Sequence, residues 1–126
     1  MTTVTKRVLI VDDDPRIVQL LTEHFKQTYT VETAMSGGEA LSIVRRARPD
    51  VVVLDVMLPG MSGIHVLKEL KRTDPTIPVI VVTGTDSLAI ANEAVRSGAT
   101  TYLRKPFDLR DLDQRVAEII ANADSA

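Results

Sequence analysis

Val8-Leu-Ile-Val-Asp-Asp-Asp-Pro15 is the stretch on which the fold turns. Val8 to Val11 is a short apolar run dominated by β-branched residues, and it reads as a strand buried on both faces. Asp14 then offers an N-cap and Pro15 suits the first helical position. Ile17, Leu21 and Phe25 follow at i, i+4 and i+8, the stripe of an amphipathic helix. A buried strand running directly into a helix is one β–α unit.

Four further units follow. Tyr29 to Ala34 alternates and predicts a second, less buried strand. Ser36 and Glu39 have capping-box spacing and open a helix through Leu41 and Val44, which Pro49 stops. Val51 to Leu54 is the next buried run, closed by Asp55. The loop Pro59-Gly-Met-Ser-Gly63 leads into a helix bearing Ile64, Leu67 and Leu70. Asp74, Pro75 and Pro78 punctuate the chain before the fourth buried run, Val79 to Val82. Thr83-Gly-Thr-Asp86 precedes a helix with Ile90, Ala94 and Val95, ended by Gly98 at C′. Thr101-Tyr-Leu103 predicts a fifth strand. Asp108 caps a last helix striped by Leu109, Leu112, Val116, Ile119 and Ile120, and Asn122 to Ala126 reads as a polar tail. The expectation is an α/β, doubly wound, parallel sheet with helices on both faces.

With 126 residues, the chain suits one domain with a core of about 6–122. A domain of this size buries roughly two-thirds of its unfolded surface and needs no disulfide or metal to stay folded. There is no cysteine, which removes disulfides, thiolate nucleophiles and Cys-type zinc sites and suits a reducing compartment. Fifteen basic and seventeen acidic side chains leave a net charge of −2, against nucleic-acid binding by bulk positive charge. No apolar run approaches the 18 or so residues of a membrane span, and Asp12 interrupts what would be a signal-peptide core. A cytoplasmic protein is expected.

In such sheets, ligands bind at the carboxyl ends of the strands. Asp12, Asp13 and Asp14 stand after the first strand, Asp55 after the third, Thr83 after the fourth and Lys105 after the fifth. Asp14 is accounted for as a cap. Asp12, Asp13 and Asp55 are brought together if their strands are adjacent. Two such charges about 5 Å apart repel by roughly 3 kcal/mol at an effective dielectric near 20. The group therefore calls for a cation, a raised pKa, or both. Hard oxygen ligands in a shallow, hydrated pocket suit Mg²⁺. With Lys105 and the Thr83 hydroxyl alongside, the cluster is suited to stabilising phosphoryl oxygens, and Asp55 is the natural nucleophile.

These residues carry a resemblance. Val8 to Pro15, Leu54-Asp-Val-Met-Leu-Pro-Gly-Met-Ser-Gly63, Val82-Thr-Gly84 and Tyr102-Leu-Arg-Lys-Pro-Phe107 together closely resemble the receiver domain of bacterial two-component response regulators. The likeness runs from about Arg7 to Ile120. It implies a flavodoxin-like (βα)5 fold with strand order 2-1-3-4-5. It further implies that Asp55 accepts a phosphoryl group from a sensor histidine kinase or a histidine phosphotransfer protein. Asp13, Asp55 and the backbone carbonyl of Met57 would bind Mg²⁺ directly, Asp12 through a water, and Mn²⁺ could substitute. Thr83 and Lys105 would contact the phosphoryl group, and the Lys105–Pro106 peptide would be cis. Tyr102 would act with Thr83 as the switch, read out on the fourth helix, fifth strand and fifth helix by an output domain or partner. Kinase choice would lie around Arg16, Gln19 and Leu20. Such a domain promotes its own phosphorylation and dephosphorylation and is not a turnover enzyme.

Two departures stand out. Thr100 and Thr101 replace the acidic residues that many dimerising regulators carry before the switch aromatic. Met57 and Thr85, at the pocket rim, have no carboxylate or amide to position an attacking water, which predicts a long-lived aspartyl phosphate. A haloacid-dehalogenase-like phosphohydrolase would need a further lysine and acidic pair downstream. An FMN carrier would need a hydroxyl- and glycine-rich loop where three aspartates stand. A phosphorylation-independent interaction module would not need the whole site set. His24 and His65 read as isolated helix residues. Arg45, Arg46 and Arg48 read as the basic last turn of the second helix, and Gly37-Gly38 as a helix start.

Overall fold

The computed structural model describes residues 5–58, 60–84 and 88–125. Thr85 and Asp86 lie outside that description. In chain order the elements are β1 (Arg7–Val11), α1 (Pro15–Phe25), β2 (Thr30–Ala34), α2 (Gly37–Arg46), β3 (Val51–Asp55), α3 (Gly63–Thr73), β4 (Val79–Thr83), α4 (Leu88–Arg96), β5 (Thr101–Arg104) and α5 (Leu109–Ser125). The strands form one parallel sheet in the order β2-β1-β3-β4-β5, as the resemblance implied.

Period-two alternation divides the sheet's side chains between two cores. Leu9, Val11, Val52, Leu54, Val79 and Val81 point toward α2, α3 and α4. Val8, Ile10, Val51, Val53, Ile80 and Val82 point toward α1 and α5. Every residue of β3 and β4 is buried, so these strands need apolar residues at consecutive positions rather than alternate ones. Phe25 and Leu21 of α1 meet Leu112, Val116 and Ile120 of α5 on one side. Each such large side chain contributes roughly 1.5–3 kcal/mol by leaving water.

The caps are those the sequence predicts. The Asp14 carboxylate accepts from the Arg16 amide at 2.9 Å, and Ser36 Oγ accepts from the Glu39 amide at 3.2 Å. Glu39 reaches back to the Met35 amide, one residue beyond the cap. Gly98 has φ +106. Its amide donates to Val95 O and that of Ala99 to Ala94 O, which closes α4 with a left-handed residue that glycine adopts freely.

Several expectations need correction. Val95 is 53% exposed, while Ala91 and Ala94 are buried; the small alanines seat α4 on the sheet and rotate Val95 outward. The segment read as a polar tail continues α5 to Ser125. Arg48 lies beyond α2, which ends at Arg46, with Ala47 extended. There it donates to Asp74 at 2.9 Å and to Thr76 Oγ1 at 3.0 Å. Nor is His24 isolated: its Nε2 lies 2.9 Å from Asp113 of α5, and its ring meets Phe25 edge-on.

The Asp74 turn has a consequence in acid. Hydrogen bonds from the Thr76 hydroxyl and amide, together with Arg48, lower the Asp74 pKa from its ordinary 3.8 to about 2. A carboxylate whose folded pKa is depressed stabilises the fold above its unfolded pKa. That contribution disappears as the pH falls through the folded value. Stability should therefore drop more steeply between about pH 4 and about pH 2 in wild type than in Asp74→Asn. Parallel urea-unfolding curves for the two across this window would refute the assignment.

Candidate functional site

Register alone sets the site. Val11 pairs with Leu54, Asp55 with Val82, and Thr83 with Arg104. The strands therefore finish within a residue or two of one another, and Asp55 and Thr83, the last residues of β3 and β4, come to the same edge as Asp12 and Lys105, which directly follow β1 and β5. Backbone bonds hold these ends: the Asp12 amide donates to Ala34 O, Val56 to Val82 O, and Lys105 to Thr83 O. Asp12, Asp55 and Thr83 are 4%, 4% and 2% exposed. Asp13 is exposed.

Asp12, Asp13 and Asp55 each offer a carboxylate oxygen, and all three oxygens lie within 4.8 Å of one another. Lys105 Nζ bridges two of the residues, at 3.0 Å from Asp12 Oδ2 and 3.2 Å from Asp55 Oδ2. The Met57 amide donates to Asp55 Oδ1 at 2.9 Å, which orients that carboxylate from the opposite side. The peptide between Lys105 and Pro106 is cis.

The charges pull against one another. Burial pushes the Asp55 carboxyl above its ordinary pKa, and nearby Asp12 adds to the rise. The Met57 amide and Lys105 offset only part of it. For Lys105, burial works against the ammonium, but the hydrogen bond to Asp12 and the charges of both carboxylates outweigh it and hold the pKa above the ordinary value. One ammonium thus faces three carboxylates. The excess of hard oxygen donors fits a small divalent cation. A cavity of about 450 Å³ opens beside the cluster, lined by Asp13, Val56, Met57, Leu58 and Ser62.

The family model for the response regulator receiver domain matches residues 8–117. The chain belongs to that family. It is 38% identical over 115 residues to the response regulator MprA of a Mycobacterium species, covering 90% of this chain and 50% of that protein. The chain thus spans about half the length of such relatives. It is also 40% identical over 116 residues to sporulation initiation phosphotransferase F of Bacillus subtilis, covering 91% and 94%. Among solved structures, a CheY-like receiver domain protein from Methanospirillum hungatei superposes with a TM-score of 0.93 at 31% identity, over 97% of this chain and 98% of that one. As a receiver of a two-component response regulator, it is a phosphorylatable module with a flavodoxin-like fold.

The receiver edge also contains residues that pattern reading passed over. Ser62 caps α3 by accepting from the Ile64 amide. Gly63 packs so tightly that a Cβ there would lie 2.2 Å from Val56 Cα and 2.6 Å from Asp55 O. Gly63 closes the Leu54–Gly63 segment that carries the resemblance, but in the sequence alone it reads equally well as a plain helix start. Ile17, Leu20, Gly84, Lys105, Pro106 and Phe107 line a second cavity of about 350 Å³. Tyr102 is 40% exposed on β5. Thr101 accepts from Arg115 at 2.6 Å, and Thr100 Oγ1 from the Val79 amide. His65 is exposed on α3 and is not a member of the acidic group. Among the described residues, no helix is long and apolar enough to cross a membrane.

Proposed function

We infer that Asp55 is the phospho-acceptor, taking its phosphoryl group from the phosphohistidine of a sensor histidine kinase or a histidine phosphotransfer protein. The observation that carries this reading is the convergence of three carboxylates and Lys105 on one strand edge. An Asp55 carboxylate oxygen attacks phosphorus, the phosphorus–nitrogen bond breaks, and the imidazole leaves with the electron pair. The Met57 amide holds the second carboxylate oxygen and so aims the first. Lys105, already within reach of Asp55, can transfer its hydrogen bond to a phosphoryl oxygen, and Thr83, at the end of the neighbouring strand, can offer its hydroxyl to another. Asp12, Asp13, Asp55 and the Met57 carbonyl would hold Mg²⁺ or Mn²⁺, with Asp12 acting through water. When bound, the cation would supply positive charge against the phosphoryl oxygens.

Movement of Thr83 toward the phosphoryl group would give the Tyr102 ring room to turn inward, altering the α4–β5–α5 surface offered to an output domain or partner. On this reading the receiver catalyses only its own loading and discharge. It contacts neither nucleic acid nor membrane. Assay with a purified histidine kinase and labelled phosphoryl group tests it; a folded receiver that takes no label from any histidine donor would oppose it.

Kinase choice is assigned to Arg16, Gln19 and Leu20. Leu20 is 50% exposed and shares the 350 Å³ cavity with Pro106 and Phe107, so an apolar helix ridge can seat there. Exchanging these three residues for those of another receiver should redirect phosphotransfer. Unchanged kinase preference would count against the assignment.

The lifetime of the adduct is the other expectation. Met57 carries a thioether, a weak acceptor that holds an attacking water poorly. The aspartyl phosphate should persist well beyond seconds, and decay within seconds would overturn that expectation.

A further inference from the structure

We propose that Met57 is a peroxide-oxidisable modification site, and that its sulfoxide shortens the life of the phosphoryl group on Asp55. The second half rests on the acceptor reading above.

The chain has no cysteine, so two-electron oxidation at sulfur falls on methionine thioethers. The three described methionines follow strands at the site's own edge of the sheet. Met35 comes directly after β2, and Met57 and Met61 lie in the loop after β3. They are not equivalent. Met57 is 58% exposed and Met35 44%, whereas Met61 is half-buried against the core, near Gly37. Met57 lines the 450 Å³ cavity together with Asp13 and Ser62. Its own amide is bound to Asp55 Oδ1, so its backbone is held beside the acceptor while its exposed side chain is open to peroxide.

In the reaction, a sulfur lone pair attacks the hydroxyl oxygen of a peroxide. The sulfur–oxygen bond forms, the oxygen–oxygen bond breaks, and the departing oxygen takes the proton and leaves as water or alcohol. Sulfur is oxidised by two electrons and the peroxide is reduced by two. The product replaces an apolar group with a polar, chiral one carrying a strong acceptor oxygen. At this rim the new oxygen can hold a water near Asp55, the function the thioether lacks. A water held in place attacks faster than one recruited from bulk.

The test combines site mapping with decay. The receiver is treated with hydrogen peroxide, and the added oxygen is located by peptide mass. The protein is then loaded from acetyl phosphate in Mg²⁺, and loss of the adduct is followed by intact mass. Met57→Leu and the double variant Met35→Leu/Met61→Leu are run alongside, each against its own untreated sample. Met57 should gain one oxygen ahead of Met35 and Met61. Adduct half-life should fall several-fold in wild type and in the double variant, with no peroxide-dependent change in Met57→Leu. Prior oxidation of Met35 or Met61, an unchanged half-life once Met57 is a sulfoxide, or equal shortening in Met57→Leu would each overturn the proposal. If untreated protein takes no phosphoryl group from any donor, the acceptor reading has failed and the lifetime claim falls with it. The order of methionine oxidation then still decides the site itself.

Discussion

Replacing Asp55 with asparagine should abolish the single phosphoryl adduct expected of wild type with acetyl phosphate and Mg²⁺. The exchange is nearly isosteric. The amide oxygen can keep the bond from the Met57 amide, and Lys105 keeps Asp12. What is lost is an anionic oxygen able to attack phosphorus. A fall in adduct formation of at least about a hundredfold, equivalent to about 2.7 kcal/mol in the barrier, is the minimum expected from removing a nucleophile. Fold stability should change little, because the substitution also removes one member of a crowded carboxylate group. A chelator added to wild type should suppress the adduct to a comparable degree, since Asp12, Asp13 and Asp55 would then face a phosphoryl donor with only Lys105 to offset them. Intact mass reads both arms. An undiminished adduct on Asp55→Asn would move the acceptor to Asp12 or Asp13.

The second large effect is structural and comes from a residue with no side chain. Gly63→Ala should destabilise the receiver by about 3 kcal/mol or more, at the upper end of the cost of overpacking. The new methyl would stand 2.2 Å from Val56 Cα and 2.6 Å from the Asp55 carbonyl oxygen. Both are backbone atoms, so no rotamer change relieves the clash. The Gly63 amide also donates to Val56 O at 3.0 Å, so separating the segments would stretch that bond. Because the strained peptide joins Asp55 to Val56, phosphoryl loading should weaken along with stability. A chemical-denaturation midpoint within error of wild type would refute the close approach. Gly38→Ala is a useful control, since its Cβ would meet nothing within 4 Å.

Much of this was legible before any coordinates. Val8 to Val11, Val51 to Leu54 and Val79 to Val82 are uninterrupted apolar runs because both faces of a central parallel strand are covered, and that signal is local. Asp14, Ser36 and Gly98 announce helix ends because capping is also local, a matter of backbone groups within a few residues. The less successful readings share a cause. Val95 groups with Ile90 and Ala94 in sequence yet is exposed, because helical periodicity does not say which side of a short helix the neighbouring sheet occupies. Arg48 looked like a helix end because its partners, Asp74 and Thr76, lie 26 and 28 residues away. His24 likewise finds Asp113 across 89 residues.

The chain order of amino acids was thus enough to determine the β–α alternation, the burial of the central strands and the aspartates, threonine and lysine placed at strand ends. Those features depend on neighbours in sequence, where apolar periodicity and capping act. Tertiary structure alone decided that Lys105 bridges Asp12 and Asp55, that Gly63 leaves no room for a methyl group, and that Met57 stands open beside the acidic pocket. Those depend on strand register and on loops packed across the sheet. There, distances of a few ångströms between residues far apart in sequence set both the electrostatics and the available space.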